Sequence, residues 1–270
     1  MSVHSQYRVG LWHPYEKPIY GVLLNPYHPL ARGLVGCWLF NEGGGNTVFD
    51  LSRHANHGML GGGTAGYCPS WIVGRFGSAL SFDGTDDYID CGNIGKVSKT
   101  ICARVKFTDS TSTRGIVESH MSSPSSFHIL ATGFSGGRFA TIPGSVENDG
   151  VETVNTYNDG KWHFVVALRD TNEIYVDGVK VSTQPDHNNY GIDSDVTKIG
   201  VRAGNRFFNG VIGEVRIYNR ALNAEEIWQL YTDPFCMFYH PLEAEVLYAA
   251  APPAGIVPQV MHHYRMLREV

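Results

Sequence analysis

The chain has 270 residues, enough for one large domain or two small ones with a real core; 31 are glycine, 14 tyrosine and 13 phenylalanine, and only 17% are charged. That balance favours strands joined by tight turns over helices, since aromatics suit pleated surfaces and glycine supplies turn dihedrals. A formal net charge of -5 without any basic block argues against nucleic acid as a partner, and no apolar run is long enough to span a bilayer.

Residues 1–33 are punctuated by Pro14, Pro18, Pro26 and Pro29, which prevents a long helix and a free-standing sheet. The segment is nonetheless rich in Trp, Tyr and Leu, so it reads as an extended arm that packs on its own domain or on a neighbour. Its opening, "MSVHSQYRVGLWHPYEKP", lacks a signal-peptide core. A cytoplasmic start is expected, with a later position outside the cell only as part of a particle released by lysis. From Leu34 to about Asn219 strand follows strand. "KTICARVKFTD" places Ile101, Ala103, Val105 and Phe107 on one face and reads as half-buried. "RGIVES", "SFHILAT", "RFATI", "VETVNTY", "KWHFVVALR", "EIYVDGVKVST", "VTKIGVRA" and "GVIGEVRIYN" follow with turn signals between them, the spacing of a sandwich or barrel. Asp177-Gly178 marks a hairpin tip. One helix is expected, "NAEEIWQLYTD", with Asn223 as cap, Glu226 at the reciprocal position and Ile227, Leu230 and Tyr231 as its apolar stripe. The tail, 232–270, is apolar and proline-rich at "AAPPAGIVP". Cys37, Cys68, Cys91, Cys102 and Cys236 are odd in number and widely spaced, which favours reduced, mostly buried thiols over a disulfide framework.

Four blocks, "GLVGCWLFNEGGGNTVFDLSRHANHGML", "SALSFDGTDDYIDCGN", "KWHFVVALRDTNEIYVDGVKV" and "NGVIGEVRIYNRALNAEEIWQLY", resemble in order the concanavalin A-like jelly roll of the laminin-G-like class. The resemblance covers residues 34–231. It implies two antiparallel sheets face to face, with the first and last strands of the domain paired. Trp38, Phe40, Phe82, Tyr88, Trp162, Val215 and Ile217 read as core or strand-end positions. The flanks "NPYHPLARGLVGCWLFNEGGG" and "LYTDPFCMF" are similar to laminin-G-like proteins encoded among tailed-phage structural genes.

"ENDGVE", Glu147 to Glu152, is similar to the Glu-x-Asp-x-x-Glu spacing by which some retaining β-glucan hydrolases carry nucleophile and acid on one strand. Asn-Asp-Gly is a turn sequence, however, and it joins two runs suited to a hairpin, so the carboxylates are expected in water without the split pKa values catalysis needs. "GFSGG" fits the G-x-S-x-G pattern around Ser135, but a strand follows where that motif requires a helix. His54 and His57, and His262 and His263, do not make a zinc set; His57 is expected to hydrogen-bond within its loop. No transition metal is expected. A structural calcium stays open, with Asp83, Asp86 and Asp87 or Asp193 and Asp195 as its acids. The resemblance to pentraxins in "GVIGEVRIYNRALNAEEI" does not extend to their calcium loop, because "VRAGNRFFN" puts Arg202 and Arg206 where carboxylates are needed. For glycans, which stack on exposed rings, the candidates are Tyr67, Trp71, Tyr190 and Phe207, with Asn205 and Arg202 beside it. The competing reading is that these residues pack on the arms or on a neighbouring subunit.

The expected architecture is all-β: a two-sheet antiparallel jelly-roll sandwich over 34–231, with one short helix at about 223–231, an N-terminal arm over 1–33 and a tail over 232–270. The expected role is non-enzymatic: a structural, surface-recognition protein of a phage virion, decoration or fibre-like, that attaches to other subunits through its arms, is oligomeric and touches glycans. A stand-alone carbohydrate-binding module or lectin is the alternative, and a β-glucan hydrolase the third reading.

Overall fold

The computed structural model describes residues 16–94, 98–110, 113–119, 128–132, 136–142, 150–183, 196–202 and 204–239. The chain forms two units, Met1–Phe238 and Tyr239–Val270, and every described element lies in the first. In chain order these are β1 (Leu34–Trp38), β2 (Thr47–Val48), β3 (Gly58–Leu60), β4 (Ser70–Val73), β5 (Ser78–Asp83) and β6 (Ile89–Asp90). Next come β7 (Thr100–Lys106), β8 (Gly115–Ser119), β9 (His128–Thr132), β10 (Phe139–Ile142), β11 (Val151–Glu152) and β12 (His163–Leu168). The last are β13 (Glu173–Val176), β14 (Val179–Thr183), β15 (Lys198–Ile199), β16 (Val201–Arg202), β17 (Arg206–Phe207), β18 (Asn209–Tyr218) and helix α1 (Ala224–Thr232).

Two antiparallel sheets make the sandwich. The first runs β14-β13-β12-β7-β18-β5-β4, and the second β11-β10-β9-β8-β15-β6-β3-β2. Along one side of β18, β5 pairs with Asn209–Ile212 and β1 with Val215–Tyr218, so the first and last strands of the domain meet as the family resemblance implies. The tip of the β13–β14 hairpin has φ of 52° at Asp177 and 82° at Gly178, the left-handed pair that a tight two-residue turn demands.

Between the sheets lies the main core, with Trp38, Phe82, Ile101, Ala103, Val105 and Val165 from the first sheet, and Phe40 just past β1, meeting Leu60, Ile89, Val117, Leu130, Phe139 and Ile199 from the second. On β18 a register shift falls between Ile212 and Glu214. That bulge lets Ile212, Val215 and Ile217 all reach the core, while Glu214 and Arg216 turn to the opposite face.

The opposite face is not open to water. A second apolar cluster covers it: Leu24 and Leu30 from the N-terminal segment, Ile227 and Leu230 from α1, and Phe235, Met237 and Phe238 after it, packed on Cys102, Phe164, Val166 and Tyr218. Strand β7 is therefore buried on both faces from Thr100 to Val105, which corrects the half-buried reading. Backbone contacts tie the N-terminal segment down: Lys17 N donates to Phe76 O at 2.7 Å, Asn25 N to Met237 O at 2.8 Å, and Leu24 bridges Phe238. Helix α1 has the expected capping box, Asn223 and Glu226 each accepting from the other's backbone amide.

Under this layer sit charged groups. Glu214 lies 3.1 Å from Arg104 Nε and 3.0 Å from Arg216 Nη1, and Arg216 also donates to Pro234 O at 2.6 Å. The Arg104 guanidinium is stacked between the rings of Phe76 and Phe164, 4.8 Å from each centroid. Burial opposes ionisation of Glu214, but Arg216 and Arg104 outweigh it and hold the carboxyl below its ordinary range. Lys17 joins them from the N-terminal segment, donating to the carbonyls of Ser78 and Gly213; burial pushes its pKa down to about 8. All five cysteines are free thiols; burial raises Cys37 and Cys102 to about 12, so neither is a nucleophile at neutral pH. Among the described residues no helix is long and apolar enough to cross a membrane.

Candidate functional site

The outward face of the second sheet follows from strand alternation. Leu60, Ile89 and Ile199 point into the core, so their neighbours Met59, Asp90 and Lys198 point out. Pairing brings these into one row: Met59 opposite Asp90, Asp90 opposite Lys198, and Lys198 opposite Glu118. Tyr88, two residues before Asp90, stands on the same face, and the Lys198 ammonium lies 5.2 Å from its ring centroid. Tyr67 joins by its backbone, its carbonyl accepting from Tyr88 N at 3.2 Å. A Cβ at Gly62 would come within 2.5 Å of the Tyr88 hydroxyl, so glycine is what allows the loop to pass beneath this ring. Met59 is 48% exposed and Tyr67 43%; Tyr88 is half-buried. Burial, with Asp90 and Tyr67 nearby, pushes the Tyr88 phenol up and keeps it a neutral donor at physiological pH. The face thus offers two rings, a thioether, a cation and a carboxylate side by side. Such a set can stack on the C–H face of a sugar and bond its hydroxyls.

The turn that leads into Tyr88 carries Asp83, Asp86 and Asp87, whose ligand oxygens lie within 4.8 Å of one another. Asp83 Oδ1 accepts from Thr85 N at 2.7 Å, and Asp87 Oδ2 from Asp83 N at 2.9 Å, so the turn is self-capped. Burial of Asp87, with Asp83 and Asp86 close by, raises its pKa. The donors are all hard oxygens, which suit calcium and not zinc. Arg114 fastens this turn to the β16–β17 hairpin, donating from Nη1 to Gly84 O at 3.1 Å and Phe207 O at 2.9 Å, with Nε 2.6 Å from Asp109.

The other sequence candidates are spread around the molecule. Trp71, on edge strand β4, packs against the inter-sheet core and donates from its indole to Gly45 O at 2.9 Å. Arg202 is buried at 5% exposure, Asn205 is exposed at the hairpin tip, and Phe207 is half-buried. Tyr190, Asp193, Asp195, Ser135, His262 and His263 lie outside the described residues, as do Glu147 and Asp149. The runs flanking those two acids do pair, Ala140 with Glu152 and Thr141 with Val151, as expected of a hairpin, and Glu152 sits 3.5 Å from Arg138 Nη1. His57 accepts from Asp50 N at 3.1 Å, the loop role expected of it. Tyr88, Lys198, Met59 and Asp90 are missing from the sequence candidates. The signal was available in "YID": with Ile89 inward, its neighbours Tyr88 and Asp90 must face out.

No curated protein matches the chain. Among solved structures its fold is similar to Trypanosoma rangeli sialidase in complex with sialic acid, at 19% identity and TM-score 0.52, covering 76% of this chain and 33% of that one. The chain thus spans about a third of the sialidase's length. It is also similar to the binding domain of Paraclostridial Mosquitocidal Protein 1, at 15% identity and TM-score 0.56, covering 76% and 53%. A third likeness is to domain 4 of AbnA, an extracellular arabinanase from Geobacillus stearothermophilus in complex with arabinotriose, at 18% identity and TM-score 0.51, covering 73% and 98%. These identities speak to the fold alone. The family model described as the concanavalin A-like lectin/glucanases superfamily matches residues 83–228. With those residues matched and two antiparallel sheets enclosing the core, the chain belongs to the concanavalin A-like lectin/glucanases superfamily, in its laminin-G-like branch.

Proposed function

We propose that this chain is a non-catalytic recognition module that binds glycans on the outward face of its second sheet. The observation that carries this reading is the in-register row of Met59, Asp90 and Lys198 beside Tyr67 and Tyr88. Similarity in fold to an arabinanase domain in complex with arabinotriose, and to the binding domain of a mosquitocidal protein, supports it. The test is a glycan array with the wild-type chain and Tyr88→Ala. Selective binding that disappears in the variant is expected, and a silent array sinks the reading.

In this proposal the proline-rich ends, 1–33 and 232–270, attach the module to other subunits of a particle through the parts that the third layer leaves outside, exposed Ile19, Tyr20 and Tyr27 among them, the particle being a tailed-phage virion on the wording of "NPYHPLARG" and "LYTDPFCMF". Size-exclusion chromatography with light scattering checks this part: oligomers are expected, while a monomer with protease-resistant ends favours a stand-alone lectin. Turnover of a β-glucan that is lost in Glu147→Gln would instead make the chain a hydrolase.

A further inference from the structure

The loop Leu51–Asn56 has strained backbone at two positions that are not glycine. Arg53 has φ of 75° and Ala55 of 58°, the left-handed region that L side chains avoid. Buried Asp50 imposes this shape. Its Oδ1 accepts from Cys37 N and Ser52 N, each at 2.8 Å, and its Oδ2 from Ser52 Oγ at 2.7 Å and Asn56 N at 3.0 Å. The loop forms one wall of a cleft of about 570 Å³, a volume in the range of small-ligand sites. Leu24, Leu34, Val35 and Asn219 line the rest of it together with Pro26 and Ala31.

Arg53 and His54 are both exposed on that wall, and neither side chain has an ion-pair or hydrogen-bond partner among the described residues. Glycine would relieve the strain at position 53, and among the described residues no hydrogen bond or ion pair of the arginine side chain offsets it. An unpaired guanidinium held at a cleft mouth is a ready partner for a planar carboxylate, which it grips through two parallel N–H···O bonds. The aliphatic residues beside it suit the C–H face of a ring, and Asn219 and His54 suit hydroxyls.

We propose that this cleft is a second binding site, for a carboxylate-bearing sugar of the hexuronate class, with Arg53 as the carboxylate's partner. The choice of a sugar as carrier of the carboxylate rests on the glycan-binding reading above; the cleft itself uses different residues from the sheet face.

The experiment titrates the full chain with a galacturonate oligosaccharide, the matching neutral galactose oligosaccharide and a short peptide with a free C-terminal carboxylate, by calorimetry. Wild type, Arg53→Gly and Tyr88→Ala are compared, and the melting temperature of each is measured without ligand. The uronate is expected to bind saturably, with the neutral sugar and the Arg53→Gly variant each weaker by about tenfold or more. Arg53→Gly should also melt higher than wild type, because the strain is gone, so its lost binding cannot be blamed on unfolding. Tyr88→Ala should leave uronate binding unchanged. Equal binding of the neutral sugar, unchanged affinity in Arg53→Gly, or no uronate binding overturns the proposal. So does tighter binding of the peptide, which assigns the cleft to protein carboxylates. If Tyr88→Ala alone abolishes uronate binding, the ligand sits on the sheet face, and the cleft proposal fails while the glycan reading stands.

Discussion

Glu214→Gln tests the layer that seals the first sheet. Glu214 is 1% exposed and Arg216 fully buried, and Arg104 lies under two aromatic rings. The substitution keeps the shape of the side chain but leaves two buried guanidiniums without their counter-charge. At the observed separations of 3.0 and 3.1 Å each contact amounts to about 5 kcal/mol of attraction at an effective dielectric of about 20. Releasing the carboxylate from its own desolvation cost returns part of that, and breaking a buried pair from one side typically leaves a net loss of about 3–5 kcal/mol. Set against a total stability of about 5–15 kcal/mol for a domain, this is a large fraction. Urea unfolding followed by tryptophan fluorescence should show the midpoint falling with the slope unchanged. The exposed pair Lys99–Asp170, 2.6 Å apart with both side chains at least 40% exposed, is the control, and Lys99→Ala should barely move the midpoint. If Glu214→Gln loses no more than that control, water reaches the cluster and the third layer does not seal the sheet.

His163 places its Nδ1 2.8 Å from Asp177 Oδ2 and its Nε2 3.2 Å from Asp159 Oδ1. Burial works against the imidazolium, but the hydrogen bonds to Asp177 and Asp159 outweigh it and raise the pKa above the ordinary 6.5. A raised folded pKa means its stabilisation is complete below pH 6.5 and fades as pH climbs through the folded value. Melting temperature should fall across that window, and His163→Gln should flatten the profile; an unchanged slope contradicts the linkage. At α1, Asn223→Ala removes the cap that accepts from Glu226 N at 2.9 Å and should cost about 1 kcal/mol by chemical denaturation. A loss near zero would mean the helix end is held by packing alone.

Much of the sandwich is legible from alternation. Ile101, Ala103 and Val105 on β7, the Asp177-Gly178 tip and the Asn223/Glu226 box all depend on neighbours within a few residues, where sequence pattern and geometry are the same information. The third layer is not legible in that way. Leu24 and Leu30 are spaced by prolines with no period, and only the folded chain shows that they meet Ile227 and Phe235. For the same reason alternation alone reads Arg104, Glu214 and Arg216 as solvent-facing, whereas they are buried by residues far off in the chain, such as Phe76 and Phe164 over Arg104, or just past the helix, such as Pro234 against Arg216. The candidate site is half visible. Tyr67 is open to reading as an exposed loop ring, but its partnership with Tyr88 and Lys198 depends on β6 lying between β3 and β15, a matter of sheet order. Trp71 looks equally suited to a sugar until its indole N–H is seen to be taken by Gly45.

The most direct measurement is an NMR titration of methyl-labelled methionine and ring-labelled tyrosine with an oligosaccharide that the array selects, Met59→Leu and Tyr88→Phe supplying the assignments. Saturable shifts at Met59, Tyr67 and Tyr88, with the other methionines and tyrosines unmoved, are the predicted result. Binding that leaves these three resonances still and perturbs those of the helix-covered face, such as Tyr231 or Met237, would contradict recognition by the second sheet.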